Sequence, residues 1–192
     1  MILKNAVVLI DNGFEDIEAL TPVDILRRGG VNCIIASVNS EKYKKSSRNT
    51  TIAVDDVMSN IDPDEYEALI LPGGLPGATN LRDNDDVIEL VKSFYFKNKI
   101  VAAICAAPII LKRAGIIGKS RVTSNPGFRE ELCAVNYSED IVVQDGNIIT
   151  SRGAATSIYF AFKILENISG VDVVEKVKKS TVMNLVERYF EK

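Results

Sequence analysis

The amino-acid sequence predicts an α/β fold in which a mostly parallel sheet lies between two layers of helices. Short apolar runs rich in Val and Ile recur along the chain, as expected of strands that are buried on both faces of a parallel sheet. Stretches with helical spacing of apolar residues separate these runs. The alternation is typical of a three-layer α/β/α sandwich, and 192 residues suit a single domain over residues 1–192.

The first half of the chain supplies four strands and two helices. The predicted strands are "AVVLI" (6–10), "CIIASV" (33–38), "ALILP" (68–72) and "IVAAIC" (100–105). One predicted helix ends at Gly29 and Gly30, because glycine commonly terminates helices. The apolar positions that predict the two helices are Ile17, Leu20, Ile25 and Leu26 in the first and Val87, Leu90, Val91 and Phe94 in the second.

The second half adds a hairpin and two helical segments. The stretch "IVVQDGNIIT" (141–150) predicts a β-hairpin that turns at Asp145-Gly146, a common hairpin signal. Segments from about 155 to 168 and from 171 to 190 have helical spacing. The residues expected near one face of the last segment are Val174, Val177, Leu185, Tyr189 and Phe190.

Composition excludes several classes of function. The net charge of -3 gives no electrostatic reason to bind nucleic acid. The N-terminal apolar run is too short for a signal peptide, and no run approaches the ~20 residues of a membrane helix. We therefore expect a cytoplasmic protein with no nucleic-acid or membrane partner.

Cysteine and histidine usage narrows the chemistry further. The three cysteines, Cys33, Cys105 and Cys133, are widely spaced, which argues against a disulfide framework or a zinc site. The sequence contains no histidine, so no mechanism can use an imidazole base. We expect no metal or cofactor.

Cys105 stands where a predicted strand gives way to a predicted helix. Ligands bind beyond the carboxyl ends of parallel strands, and the small neighbours Ala103, Ala106 and Ala107 permit a strained elbow there. A helix beginning near Pro108 favours a thiolate through its dipole. The alternative is a buried cysteine that acts as a small hydrophobe. We expect Cys33 and Cys133 to react more slowly than Cys105.

Two other strand ends carry candidate groups. In "LPGGLPGATNL" (71–81), Gly73 and Gly74 can turn backbone N–H groups toward the crevice as an oxyanion hole, although paired glycines are also ordinary turn residues. In "DNGFEDIEAL" (11–20), Glu15 and Asp16 are expected to be solvated acids that complement the helix dipole. Glu18 has apolar neighbours, which predict a half-buried carboxyl able to move protons.

Six motifs in order resemble the ThiJ/PfpI superfamily, and within it the branch of the parkinsonism-associated protein deglycase. They are "GFEDIEALTPVDILRRGG", "SSRNTTIAVD", "LPGGLPGATNL", "AAICAAPIIL", "VTSNPGF" and "TSRGAAT". The resemblance implies a flavodoxin-like fold of the class I glutamine amidotransferase-like type and a homodimer. It also implies a nucleophilic Cys105 in contact with Glu18, oxyanion donors at Gly74, Leu75 and Ala106, and interface arginines at Arg28 and Arg48.

The chain departs from the family pattern at two positions. Relatives in this branch carry a histidine before the proline of "VTSNPGF", where this chain has Asn125. The protease-like branch has a histidine directly after the nucleophile, where this chain has Ala106. A Cys-His proteolytic dyad is therefore excluded, and Asn125 either orients substrate or caps the turn before Pro126.

Three functions fit these residues. The first is a cofactor-independent glyoxalase III or deglycase-type enzyme, a hydro-lyase or hydrolase whose Cys105 attacks a free 2-oxoaldehyde or a glycated protein or nucleotide. The second is a redox sensor or stress-responsive chaperone that works through oxidation of Cys105. The third is a non-catalytic protein of the kind named for thiamine or thiazole biosynthesis.

Overall fold

A seven-stranded sheet forms the centre of the computed structural model, which describes residues 4–134 and 136–190. In spatial order the strands are β10, β11, β7, β6, β1, β2 and β5, and all neighbouring pairs are parallel except β10 with β11. Their bounds are β1 Asn5–Ile10, β2 Asn32–Ser37, β5 Asp56–Val57, β6 Ala68–Leu71, β7 Ile100–Ile104, β10 Val142–Asp145 and β11 Ile148–Ser151.

Two small two-stranded sheets lie outside the central sheet. One is an antiparallel hairpin and the other a short parallel pair. Their bounds are β3 Tyr43–Lys45 with β4 Thr51–Ala53, and β8 Arg121–Val122 with β9 Asn136–Tyr137. The sequence analysis predicted none of these four strands, because strands of two or three residues carry no measurable periodicity.

Helices cover both faces of the sheet. Their bounds are α1 Asp16–Arg28, α2 Gly77–Arg82, α3 Asp85–Phe96, α4 Pro108–Arg113, α5 Arg129–Leu132, α6 Ser157–Ser169, α7 Val171–Ser180 and α8 Met183–Phe190. In one hydrophobic core, α1, α6 and α7 pack against one face of the sheet. In the other, α2, α3, α4 and α5 pack against the opposite face. The predicted three-layer α/β/α sandwich is therefore confirmed.

The sheet order creates a crevice beside β1. The chain passes from β1 to β2 on one side and then returns to β6 on the other side of β1. In open α/β sheets, ligands bind at such a change of direction, beyond the carboxyl ends of the strands. The turn after β1 and the loop after β6 border this crevice, and the turn after β7 lies next to them.

Three local expectations were wrong. The hairpin turns at Gly146-Asn147, one residue later than predicted, because Asp145 still pairs with Ile148. The segment 171–190 is two helices, since Val182 has a φ of 56° and interrupts it. The residues expected near one face of that segment are divided, since Val174 and Val177 are buried whereas Leu185, Tyr189 and Phe190 are exposed. Ile17, the first apolar position of α1, is also exposed.

Lys44 is the largest departure from the sequence pattern. It lies in "YKKSSRN", which reads as a solvated loop, yet its side chain is completely buried. Its Nζ donates hydrogen bonds to Asp11 Oδ1 at 2.9 Å, Asn39 Oδ1 at 2.8 Å and Glu41 Oε2 at 2.7 Å. This network attaches the β3–β4 hairpin to the turn after β1.

Within the described ranges, no helix is both long and apolar enough to span a membrane.

We expect Lys44→Met to destabilise the fold by about 3–5 kcal/mol, because removal of one partner leaves the Asp11 carboxylate poorly compensated. Lys45→Met, at the exposed neighbouring position, should change stability by no more than about 0.5 kcal/mol. Urea unfolding of both variants measures the difference. Equal stabilities would contradict a structural role for the buried ammonium.

Candidate active site

Three chain segments converge at the carboxyl ends of β1, β6 and β7. Helix α1 follows β1 and carries Glu18, Gly73 follows β6, and Cys105 follows β7. A Cβ built on Gly73 would lie 2.6 Å from Glu18 Oε2, 2.8 Å from Cys105 Cβ and 3.0 Å from Ala106 N. No side chain fits at position 73, so glycine there lets the acid and the cysteine approach each other.

The strained turn predicted at Cys105 is present. Its φ of 63° lies in the left-handed region, which costs a non-glycine residue about 1–3 kcal/mol. Both backbone polar groups of Cys105 are fixed, because its N–H donates to Ser151 O at 3.0 Å and its carbonyl accepts from Asn125 N at 2.9 Å. The side chain is half-buried at the crevice.

Glu18 is fully buried rather than half-buried, with 1% of its surface exposed. Of its apolar sequence neighbours, Ala19 is buried and Ile17 is exposed, and Gly73 of the glycine loop lies directly against its carboxyl. The Gly73 N–H donates to Glu18 Oε2 at 2.9 Å. A buried carboxyl with one backbone donor is poorly solvated, which favours its protonated form.

The pKa values of Glu18 and Cys105 both rise. Burial raises the pKa of Glu18 to about 7, against the effect of hydrogen bonds from Cys105 and Gly73 and together with the charge of Glu15. Burial also raises the pKa of Cys105 to about 12, together with the charge of Glu18 and its hydrogen bond, while the Ala106 N–H lowers it. Burial and the carboxylate thus outweigh the following helix, so the expected low thiol pKa is wrong.

The two groups titrate as a pair, because a hydrogen bond from Cys105 favours the ionised Glu18 carboxyl and the charge of that carboxylate raises the pKa of Cys105. When the first proton leaves near pH 7, the second is held between the carboxyl and the sulfur. Above about pH 7 the pair therefore carries one negative charge and one transferable proton. The reactive form is the one with a thiolate beside a protonated carboxyl.

Gly153 marks the space in front of this pair. A Cβ built on it would lie 3.7 Å from Asn125 Nδ2, 3.9 Å from Cys105 Sγ and 4.0 Å from Glu18 Oε1. A thiol, a carboxyl and an amide donor therefore face one small volume beside the Gly153 backbone. The motif "TSRGAAT" contains this glycine, but the sequence alone gave no reason to place it in the site.

Asn125 caps the turn at Pro126, one of the two roles that the sequence left open, and its orientation of a substrate stays a prediction. Its Oδ1 accepts a hydrogen bond from the Gly127 N–H at 3.0 Å and so caps the turn at Pro126–Phe128. That contact assigns Oδ1 to the turn and directs Nδ2 to the volume beside Gly153. An amide N–H there can donate to a substrate oxygen but cannot exchange a proton near neutral pH.

The remaining predicted site residues are the oxyanion donors Ala106, Gly74 and Leu75. Ala106 is buried, and its N–H faces the sulfur of Cys105. Gly74 has a φ of 86° and packs against the turn at Gly13–Glu15, and the Leu75 side chain is 51% exposed. Oxyanion binding by these two N–H groups stays a prediction.

The two predicted interface arginines lie on the surface of the chain. Arg28 Nε donates to Asp24 Oδ2 within helix α1 at 2.7 Å. Arg48 is exposed in the loop between β3 and β4, and its N–H donates to Ser46 Oγ at 3.1 Å. Neither arginine contacts the cysteine, and their place in a dimer interface stays a prediction.

The remaining thiols differ in access. Cys33 is completely buried, and burial raises its pKa to about 12. Cys133 is exposed at the end of α5, so a thiol reagent can reach it. Among residues 4–134 and 136–190, no group of three or more acidic, cysteine or histidine side chains is placed to hold a metal ion.

The raised pKa of Glu18 predicts a pH-dependent stability. A carboxyl whose folded pKa is above its ordinary value stabilises the fold at low pH and loses that contribution as pH rises through about 7. Relative to Glu18→Gln, the natural chain should therefore lose up to about 3 kcal/mol between pH 4.5 and 8. Urea unfolding at several pH values tests this, and a constant difference would show that Glu18 does not titrate there.

Comparison with known proteins places these features in a family. A family model described as the DJ-1/PfpI family matches residues 4–167. The Parkinson disease protein 7 homolog of Danio rerio is 36% identical over 184 residues, which cover 94% of this chain and 97% of the relative. Protein dj-1beta of Drosophila melanogaster is 35% identical over 183 residues, with coverage of 94% and 97%.

Solved structures agree with this assignment. The crystal structure of Drosophila melanogaster DJ-1beta matches with a TM-score of 0.89 at 34% identity, covering 94% of this chain and 98% of that chain. Toxoplasma gondii DJ-1 matches with a TM-score of 0.89 at 28% identity, covering 93% and 98%. The flavodoxin-like expectation is thereby confirmed, and the chain belongs to the DJ-1/PfpI family.

Proposed function

We propose that the chain is a cofactor-independent cysteine enzyme that converts reactive 2-oxoaldehydes, free or condensed onto a protein or nucleotide, into 2-hydroxy acids. The observation that carries the proposal is the convergence of Cys105 Sγ, Glu18 Oε1 and Asn125 Nδ2 beside Gly153. A nucleophile, a proton carrier and an amide donor are the groups that this rearrangement requires. Family membership supports the assignment.

The reaction balances without an external oxidant, as methylglyoxal illustrates. The Cys105 thiolate adds to the aldehyde carbon, and the carbonyl oxygen takes a proton to give a hemithioacetal. Glu18 then removes the hydrogen on that carbon and returns a proton to the neighbouring ketone carbon, while the hydroxyl proton of the hemithioacetal passes to the ketone oxygen. The aldehyde carbon is oxidised to a thioester while the ketone carbon is reduced to an alcohol. Water cleaves the thioester, releasing lactate and the thiol.

The environment of Glu18 suits both halves of this proton transfer. A carboxyl that titrates near pH 7 is present in both protonation states at neutral pH, so it can donate one proton and accept another. Asn125 Nδ2 and the Ala106 N–H are the donors that we assign to the developing oxyanion. Because the sequence has no histidine, Glu18 performs both the acid and the base step.

A second function is oxidation sensing at Cys105. The thiol is half-buried beside Asn125 Nδ2 and the Ala106 N–H, and both groups can donate to the oxygens of a sulfinic acid. The solved Toxoplasma gondii DJ-1 is itself described as oxidized. Kinetics with glyoxals, set against the mass increase of Cys105 under peroxide, distinguish the two functions.

We also propose a cytoplasmic homodimer whose interface includes α1 and the β3–β4 hairpin. Ile17 on α1 is 52% exposed and Tyr43 on β3 is 60% exposed, so these two elements present large apolar side chains to solvent. Arg28 and Arg48 lie on the same two parts of the chain and suit ion pairs at an interface. A symmetric contact would cover both groups.

Loss of the nucleophile should abolish turnover of methylglyoxal. We expect no measurable lactate from Cys105→Ser, and a decrease of about 10²-fold or more in kcat for Glu18→Gln, the usual scale for a lost general acid or base. Cys133→Ser, which removes an exposed thiol outside the site, serves as the control and should retain full activity. Full activity in Cys105→Ser would disprove the enzyme assignment.

Asn125→His should supply the proton carrier that the sequence lacks. We expect a higher kcat for methylglyoxal and a new ionisation near pH 6.5, the reference value for imidazole. Asn125→Ala removes both the turn cap and the donor and should lower the rate. An Asn125→His variant with an unchanged rate and pH profile would show that proton transfer at this position does not limit turnover.

Sedimentation at micromolar concentration tests the dimer. We expect a mass near twice that of the 21.0 kDa chain, and dissociation when Arg28 and Arg48 are both replaced by Glu. Arg113 and its partner Asp85 both lie in the layer of helices on the other face of the sheet from α1. Replacement of Arg113 is therefore the matched control. A monomer at all concentrations contradicts the proposal.

A further inference from the structure

We propose that Glu15 is a positioning residue, which fixes the Glu18 carboxyl against the glycine loop and, through its charge, keeps a proton on the Glu18–Cys105 pair. The sequence alone predicts that Glu15 is a solvated acid at the start of a helix. The structure gives its side chain and its backbone separate contacts to the two segments that hold the site.

Three hydrogen bonds form a closed ring around Glu15. Its Oε2 accepts from the Glu18 N–H at 2.8 Å, which caps the first turn of α1. Its own N–H donates to Gly73 O at 3.0 Å. The Gly73 N–H completes the ring by donating to Glu18 Oε2 at 2.9 Å. One residue thus connects the start of α1 with the loop after β6, and the reacting carboxyl lies on that ring.

The charge of Glu15 acts on the same pair. Few charged groups face the Glu18 carboxyl. The Cys105 thiol, from the turn after β7, is a titratable neighbour, while Gly73 and Asn125 contribute only neutral amides. Glu15, one helical turn away, is the carboxylate whose charge raises the pKa of both Glu18 and Cys105. A negative charge is itself favoured at the N-terminus of a helix.

The cap and the charge are separable functions. Serine, asparagine or aspartate would cap the Glu18 N–H equally well, and serine or asparagine would do so without a charge. Because like charges repel, the Glu15 carboxylate disfavours a second negative charge on the Glu18–Cys105 pair. The pair consequently keeps its last proton up to a higher pH than the burial of the site alone would give.

Glu15→Gln separates the two effects, because its amide oxygen still caps the helix while the charge is removed. The readout is the rate at which iodoacetamide alkylates Cys105, measured by peptide mapping from pH 5 to 10 in a Cys133→Ser background. We expect the profile to move to lower pH by about 0.5 unit, so that alkylation at pH 6 becomes about threefold faster. Glu15→Asn, a preferred capping residue, is the second variant and should move the profile in the same direction.

Asp16→Asn is the matched control, since it removes the same charge at the next position of the same helix. Asp16 contacts Ser46 and Thr50 of the hairpin loop, and it is not among the groups that shift the pKa of Glu18 or Cys105. Its profile should match that of the natural chain. An unchanged profile in both Glu15 variants, or an equal shift in Asp16→Asn, would overturn the proposal. Alkylation requires no glyoxal, so the result is independent of the proposed turnover.

Discussion

The burial of the Glu18 carboxyl is the constraint on which the rest of the site depends. A carboxyl taken out of water must either find donors or hold its proton, and this one has a single backbone donor, the Gly73 N–H. Burial therefore raises its pKa, and the neighbouring thiol holds its proton more tightly whenever the carboxyl ionises. Proton sharing follows from where the carboxyl lies and needs no further basic group.

The surrounding scaffold keeps that carboxyl buried. Gly73 leaves no room for a side chain between the acid and Cys105, so the two loops close on each other. The buried Lys44 fixes the β3–β4 hairpin to Asp11, and the hairpin in turn binds the Gly13–Phe14 turn through Gly13 N and Phe14 O. A buried charged residue thus stabilises the segment that precedes α1, although this lysine lies outside the crevice.

The sequence predicted the parts of this molecule that depend on local pattern. The buried strands and the elbow at Cys105 follow from apolar runs and small neighbours, and the structure differs from them by only a residue or two. Position in space was less predictable. The burial of Lys44 requires three acceptors from two segments, and the link from Glu15 to the site requires the carbonyl of Gly73 in the glycine loop. Ile17 lies in solvent despite its apolar character.

The thiol pKa shows the same division. A helix that follows a cysteine is visible in the sequence and correctly suggests a lowered pKa as far as it goes. The opposing effects are burial in the folded chain and the carboxylate of Glu18, which lies in helix α1 nearly ninety residues away along the chain. Electrostatics at a site assembled from distant segments is thus determined by tertiary structure, which periodicity cannot reveal.

The left-handed backbone of Cys105 has a consequence for how this protein can change. Glycine or asparagine would occupy that conformation with less strain, so the residue that suits the chemistry is not the residue that suits the backbone. Replacement of Cys105 by either residue should therefore stabilise the backbone while it removes the thiol, so local stability and the proposed reactivity oppose each other at this position. Chains of this fold that lack the activity could carry glycine or asparagine at this position and lose the strain.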